Sequence, residues 1–171
     1  MDSSTRRSQV YDVIKSSEKA VSATALAKAF HVSRQLIVGD VALLRAEGYK
    51  ILATPRGYIC DGAETKGLIK TIAVVHKPEE IMDEIYTIID LGGTIIDVIV
   101  EHPIYGQLSA QLHLSNRYDA DQFYIKLCEQ KAKPLSNLTD GLHLHTISCP
   151  NEEVYQRILK ALDKKGYLYS K

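Results

Sequence analysis

Apolar positions follow two periods along the chain. From Arg6 to Ser16, Val10, Val13 and Ile14 recur at helical spacing, with Arg6, Arg7 and Lys15 off that face. Ser22 stands at an N-cap position before ATALAKAFH, where Ala25, Leu26 and Ala29 again follow the helical period. The small alanines there let a neighbouring helix pack closely. His31 and Val32 make a short break, with His31 as a packed or capping residue. Ser33 then caps a second helix, SRQLIVGDVALLRAEG, striped with Ile37, Val41 and Leu44 and closed by Gly48. Beyond Gly48 the period becomes two. Tyr49, Ile51 and Ala53 alternate, Thr54-Pro55-Arg56-Gly57 turn, and Tyr58–Cys60 return as a second strand. Two helices with a short break, followed by a hairpin, predict a winged helix-turn-helix over residues 1–60.

Residues 61–67 are small and polar, as a linker is. A second domain is expected over 68–171. Its pattern reads strand (68–76), helix (78–91), a Gly92-Gly93 turn, strand (94–101), a Pro103–Gly106 turn, strand (107–114), helix (119–132), strand (142–148) and helix (151–165). That order is βαββαβ with an added helix, the split-βαβ or ferredoxin-like arrangement. It predicts a central first strand, antiparallel to the fourth, with helices over one face. The fold class is α+β.

Composition narrows the function. The 171 residues are 45% apolar and 25% charged, ordinary for a folded protein. No apolar run approaches a membrane span, and MDSSTRRSQV lacks the apolar core of a secretory signal. Three scattered cysteines suit a reducing compartment, so a cytoplasmic protein without disulfides is expected. The net charge is zero, but it is unevenly spread. Residues 1–60 carry nine Lys and Arg against five Asp and Glu, and residues 61–171 carry twelve against sixteen. A basic first domain beside an acidic second one suits a double-stranded DNA contact on the first only. The start of the recognition helix points into the major groove, which makes Ser33, Arg34 and Gln35 candidate DNA contacts. Arg56, at the wing tip, is positioned for the backbone or a minor groove. A helix-turn-helix used only for packing is the alternative.

In the second domain three histidines converge. His76 ends the first strand, and His143 and His145, two apart, share one face near the start of the fourth. Antiparallel pairing brings those ends together. On the next helix Glu84 interrupts the apolar stripe of Ile81, Ile85 and Ile88, a costly place for a carboxylate without a partner or a metal. Three imidazoles and a carboxylate suit a divalent transition metal such as nickel, zinc, iron or manganese. Two alternatives stay open from spacing alone: Glu80 as the acidic ligand, or His143 and His145 as ordinary polar strand residues. His102 and His113 lie on other strands.

The segment VSRQLIVGDVALLRAEGYKILATPRGYIC resembles the winged helix of bacterial repressors and bifunctional biotin ligases; no segment resembles the glycine- and arginine-rich loop of the ligases. VVHKPEEIMDEIYTIIDLGG, DVIVEHPIYGQL and GLHLHTI resemble the 3H domain, named for its histidines. Together they are similar to the niacin-responsive repressors of NAD biosynthesis and niacin uptake. The resemblance implies a homodimer, one divalent metal per chain on His76, Glu84, His143 and His145, and nicotinic acid as co-repressor. Nicotinate is a small planar anion that needs a cationic anchor and an apolar wall, for which Arg117 and Tyr105 are candidates. Two other functions compete: a metal-dependent enzyme acting on a nicotinate-like molecule, and a repressor for which the metal is itself the signal. With Glu84 used as a ligand no general base stands beside the metal, so the expectation is a regulator and not an enzyme.

Overall fold

The computed structural model describes residues 2–61 and 67–169. The chain divides into two compact units, Met1–Glu64 and Thr65–Lys171. Most of the expected linker, residues 62–66, lies outside the described residues.

The first unit holds α1 (Ser3–Ser16), α2 (Ala23–Phe30), α3 (Arg34–Ala46), β1 (Ile51–Thr54) and β2 (Gly57–Cys60). Each helix opens on a side-chain cap. Asp2, Ser22 and Ser33 accept the backbone N–H of Ser4, Ala25 and Leu36, which leaves fewer helix-end donors without a partner. His31 ends α2 in the left-handed conformation. Val10, Ile14, Leu26, Ile37, Val41, Leu44 and Ile51 close on one another as the core, whereas Val13 stays exposed. Fully burying each large aliphatic side chain stabilises the unit by about 1.5–3 kcal/mol. Asp40, buried in the middle of α3, takes a two-pronged bond from Arg6 of α1, at 2.7 and 3.2 Å. That pair fixes the recognition helix against α1. In the wing β1 and β2 pair antiparallel from Ile51↔Cys60 to Thr54↔Gly57. Val21 adds a bridge to Tyr58.

The second unit holds β3 (Leu68–Val75), a 3-10 turn (Pro78–Glu80), α4 (Ile81–Asp90), β4 (Thr94–His102), β5 (Gly106–Leu114), α5 (Arg117–Glu129), a second 3-10 turn (Leu135–Thr139), β6 (Leu142–Cys149) and α6 (Glu152–Lys164). The sheet runs β3-β6-β4-β5, and every neighbouring pair is antiparallel. The βαββαβ order and the antiparallel first and fourth strands are as the sequence predicts. The central first strand of the ferredoxin-like expectation is not. β6 inserts between β3 and β4, so β3 ends the four-stranded order. Its outer edge is satisfied by the chain after α6: Val75 N–H donates to the Tyr167 carbonyl at 2.8 Å and Tyr169 N–H to the Ala73 carbonyl at 2.9 Å. The apolar alternation assigns faces of a strand but does not encode its neighbours.

A core of Ile72, Val74, Ile85, Ile88, Ile95, Leu114, Ile147, Ile158 and Leu162 lies between the sheet and its helices. α5 begins earlier than the sequence suggests, because Asn116 caps it by accepting the Asp119 N–H at 2.9 Å. Arg117 therefore lies in its first turn.

Candidate metal centre and nucleic-acid interface

The register of β3 against β6 pairs Val74 with His143 and Ile72 with His145, which turns both imidazoles toward the helix-covered face. His76 follows β3 directly. Glu84, in α4, is fully buried between Ile81, Ile85 and Ile88. Its Oε2 lies 2.6 Å from His76 Nε2 and 3.5 Å from His143 Nε2, and its Oε1 lies 3.3 Å from His145 Nε2. His76, Glu84 and His143 each offer one ligand atom, all within 4.8 Å of one another. His145 is outside that trio but faces the same carboxylate.

Each ring is held from behind. Nδ1 of His76 bonds the Lys77 carbonyl at 2.8 Å, Nδ1 of His143 the Gly141 carbonyl at 2.8 Å, and Nδ1 of His145 the Asp97 carbonyl at 2.6 Å. With Nδ1 as the donor, every Nε2 is left to face Glu84, the arrangement that metal-ligating histidines adopt. Gly141 has a φ of +92°, and a Cβ there would fall 2.2 Å from the His76 carbonyl oxygen. Only glycine brings the His143 anchor so close to His76. Tyr167 packs its ring against His76 and donates to Asp83 at 2.7 Å.

The electrostatics favour a cation. Burial alone would push the Glu84 carboxyl up, yet the field of His145 and the ring nitrogens of His143, His145 and His76 hold it well below its ordinary value. Burial pushes His76 and His145 down, but Glu84 outweighs it and both end above their ordinary value. Glu84 Oε1 is buried without a hydrogen-bond partner. A carboxylate oxygen in that state, facing imidazole nitrogens with protons to displace, fits a divalent metal ion.

The competing carboxylate, Glu80, is engaged elsewhere: it accepts the Lys77 N–H at 2.8 Å. His102 accepts from the Ile104 and Tyr105 amides, at 3.1 and 3.2 Å. His113 lies on β5 beside Gln111. A cavity of about 140 Å³ abuts the centre, lined by His143, His145, Ile85, Val98, Phe123 and Lys133 among others. Tyr105 and Arg117 are not in its lining. Tyr105 is exposed on the β4–β5 turn beside His102. Arg117 forms a two-pronged pair with Asp90, at 2.9 and 2.5 Å, and stacks over Tyr86. Sequence reasoning missed Lys133, Gly141 and the Asp97 carbonyl; the glycine before the HLH run is the only one of them with a local signal.

In the first unit Ser33 is used as the cap of α3. Arg34 and Gln35 are exposed in its first turn. Arg56 sits half-buried in the wing turn, where its N–H donates to Thr54 Oγ1 at 3.2 Å.

A winged helix-turn-helix and a separate α+β unit with a buried histidine–glutamate cluster define a two-domain regulator architecture. The comparisons agree: an HTH domain matches residues 6–59 and the 3H domain matches residues 69–171. The chain belongs to the 3H-domain family of transcription repressors. It is 42% identical to the probable transcription repressor NiaR of Thermotoga maritima, over 95% of this chain and 93% of that protein. It is 39% identical to the transcription repressor NadR of Bacillus subtilis, over 95% and 92%. These relatives are repressors, not enzymes. Among the described residues no helix is long and apolar enough to cross a membrane.

Proposed function

We propose that the chain is a DNA-binding transcription repressor whose second unit holds one divalent transition metal and senses nicotinic acid. The observation that carries this reading is the buried Glu84 carboxylate, ringed by three imidazoles, next to an apolar cavity. His76, Glu84, His143 and His145 are the ligands, and nickel, zinc, iron and manganese all suit that donor set. When bound, the ion supplies an open coordination position for a pyridine nitrogen or a carboxylate. This chain's own residues supply the rest. Ile85, Val98, Leu112 and Phe123 form apolar walls for a flat ring, and Lys133 offers the opposite charge to a small anion.

In the first unit Arg34 and Gln35 read base edges from the start of α3, and Arg56 holds the backbone from the wing. As a homodimer the protein presents two recognition helices to an operator about 34 Å apart, one turn of DNA. By kinship with the niacin-responsive repressors, the regulated genes are those of NAD biosynthesis or niacin transport. The effector acts by favouring the dimer geometry that matches the operator.

Calorimetry of nicotinic acid, with nicotinamide as control, into metal-loaded and chelator-stripped protein tests the reading. Binding of the acid alone, lost on stripping and weakened in Lys133→Ala, is the expected result. Binding that survives both changes moves the effector toward Tyr105 and Arg117. DNA affinity that follows metal concentration with no organic ligand present makes the metal the signal.

A further inference from the structure

β4 does not run evenly past β6. Ile95 pairs with Ile147 and Ile99 with Leu144, so β4 carries one residue more than β6 over that stretch. This is a β-bulge at Ile96–Val98, and bulges leave ladder groups without their regular partners while re-aiming nearby groups. Asp97, in its middle, engages two groups of β6. Its Oδ1 accepts the Thr146 N–H at 2.9 Å, where an even ladder would offer a backbone carbonyl. Its own carbonyl accepts from His145 Nδ1 at 2.6 Å. The other two rings of the cluster are anchored by carbonyls one and two residues away in sequence. His145 instead depends on a residue 48 positions away.

We propose that Asp97 is a positioning residue for the centre: by capturing the Thr146 N–H at the bulge, its carboxylate holds the Asp97 carbonyl where it fixes the His145 ring with Nε2 turned to Glu84. The link to metal rests on the reading above, but the ring orientation belongs to the metal-free protein as well. The positioning role uses the side chain as a hydrogen-bond acceptor, and its charge is the smallest of the influences on His145, so an amide oxygen can replace it in that role. A carboxylate needed for its charge could not be replaced in this way.

The test compares the full-length wild type with Asp97→Asn and Asp97→Ala. In chelator-treated protein, nitrogen-15 NMR of the imidazoles reads whether His145 keeps an exchange-protected Nδ1–H. Titration with Co²⁺, followed by its ligand-field absorption, then reads affinity. The proton is expected to persist in wild type and Asp97→Asn and to lose protection in Asp97→Ala, with Co²⁺ affinity falling about 10–100-fold in the alanine variant alone. A protected proton and unchanged affinity in Asp97→Ala overturn the proposal. So does a folded Asp97→Asn whose ring is released, a result that decides the matter even if the alanine variant fails to fold. If wild type takes up no Co²⁺ while the ring readout divides as expected, the metal reading falls and the positioning role stands.

Discussion

Glu84 Oε2 and His76 Nε2 meet at 2.6 Å with both side chains sealed from water. The contact joins the residue after β3 to the first turn of α4, and it brings a carboxylate into a stripe that is otherwise isoleucine. Replacing Glu84 by the near-isosteric Gln removes the carboxylate that faces all three rings. Glu84→Gln should lower metal affinity by more than the roughly 10–100-fold that loss of an outer hydrogen-bond partner costs. His145→Ala should also reduce metal occupancy. Elemental analysis of the purified proteins reads both, and unchanged stoichiometry removes the residue concerned from the ligand set.

The same cluster sets a pH dependence with a definite sign. Without metal, His76 and His145 titrate above 6.5, so their contribution to stability is fully present below that value and is lost as pH rises through the folded-state values. Glu84 titrates below 4.5, so its contribution is present above that value and is lost as pH falls through its folded-state value. A metal must displace the histidine protons, and its affinity therefore rises with pH. The gain in Tm on adding metal should be small near pH ~5.5 and grow toward pH ~8. A gain that is flat across this range would argue against histidine ligation.

Gly141→Ala places a methyl group 2.2 Å from the His76 carbonyl oxygen, at a φ of +92°. The backbone conformation alone should cost about 1–3 kcal/mol, and the clash moves the carbonyl that anchors His143. Thermal melts of metal-free protein report the first effect and metal titration the second. A variant that loses neither would show that the loop before β6 has room to shift.

Arg34→Ala should weaken binding to DNA selected from a random pool by about 1–3 kcal/mol and relax base preference at one position. Arg56→Ala should weaken all sequences alike and reduce the salt slope by about 1. Metal uptake should stay unchanged in both. Loss of metal binding in Arg34→Ala would contradict the division of labour between the two units.

The parts legible in the sequence were those with a short-range signature. Ser22 and Ser33 announce their helices, Gly48 ends α3, and the alternation of His143 and His145 puts both on one face. Glu84 stood out because a charge on an apolar stripe demands a partner. The rest depended on long-range pairing. The pairing of β3 with β6 follows from the βαββαβ order, but nothing local tells β3 that the chain after α6 will take its other edge, and Asp97 looks like any polar strand residue until the bulge aligns it with Thr146. Arg117 and Tyr105 were chosen by residue type, but the capping of Asn116 draws Arg117 into a helix start where Asp90 and Tyr86 engage it.

The strand order also schedules biogenesis. β3 is the first strand of its unit to leave the ribosome, yet its neighbours are β6 and the run from Tyr167 to Tyr169, which are made only after α4, β4, β5 and α5. The helix-turn-helix unit, built from neighbours in sequence, can close while the remainder is still being translated. His76 must wait for His143 and His145 to be synthesised. If the cluster holds the proposed ion, its capture is a late event in the life of each molecule, and a nascent chain carries a finished helix-turn-helix before the histidine–glutamate cluster can form.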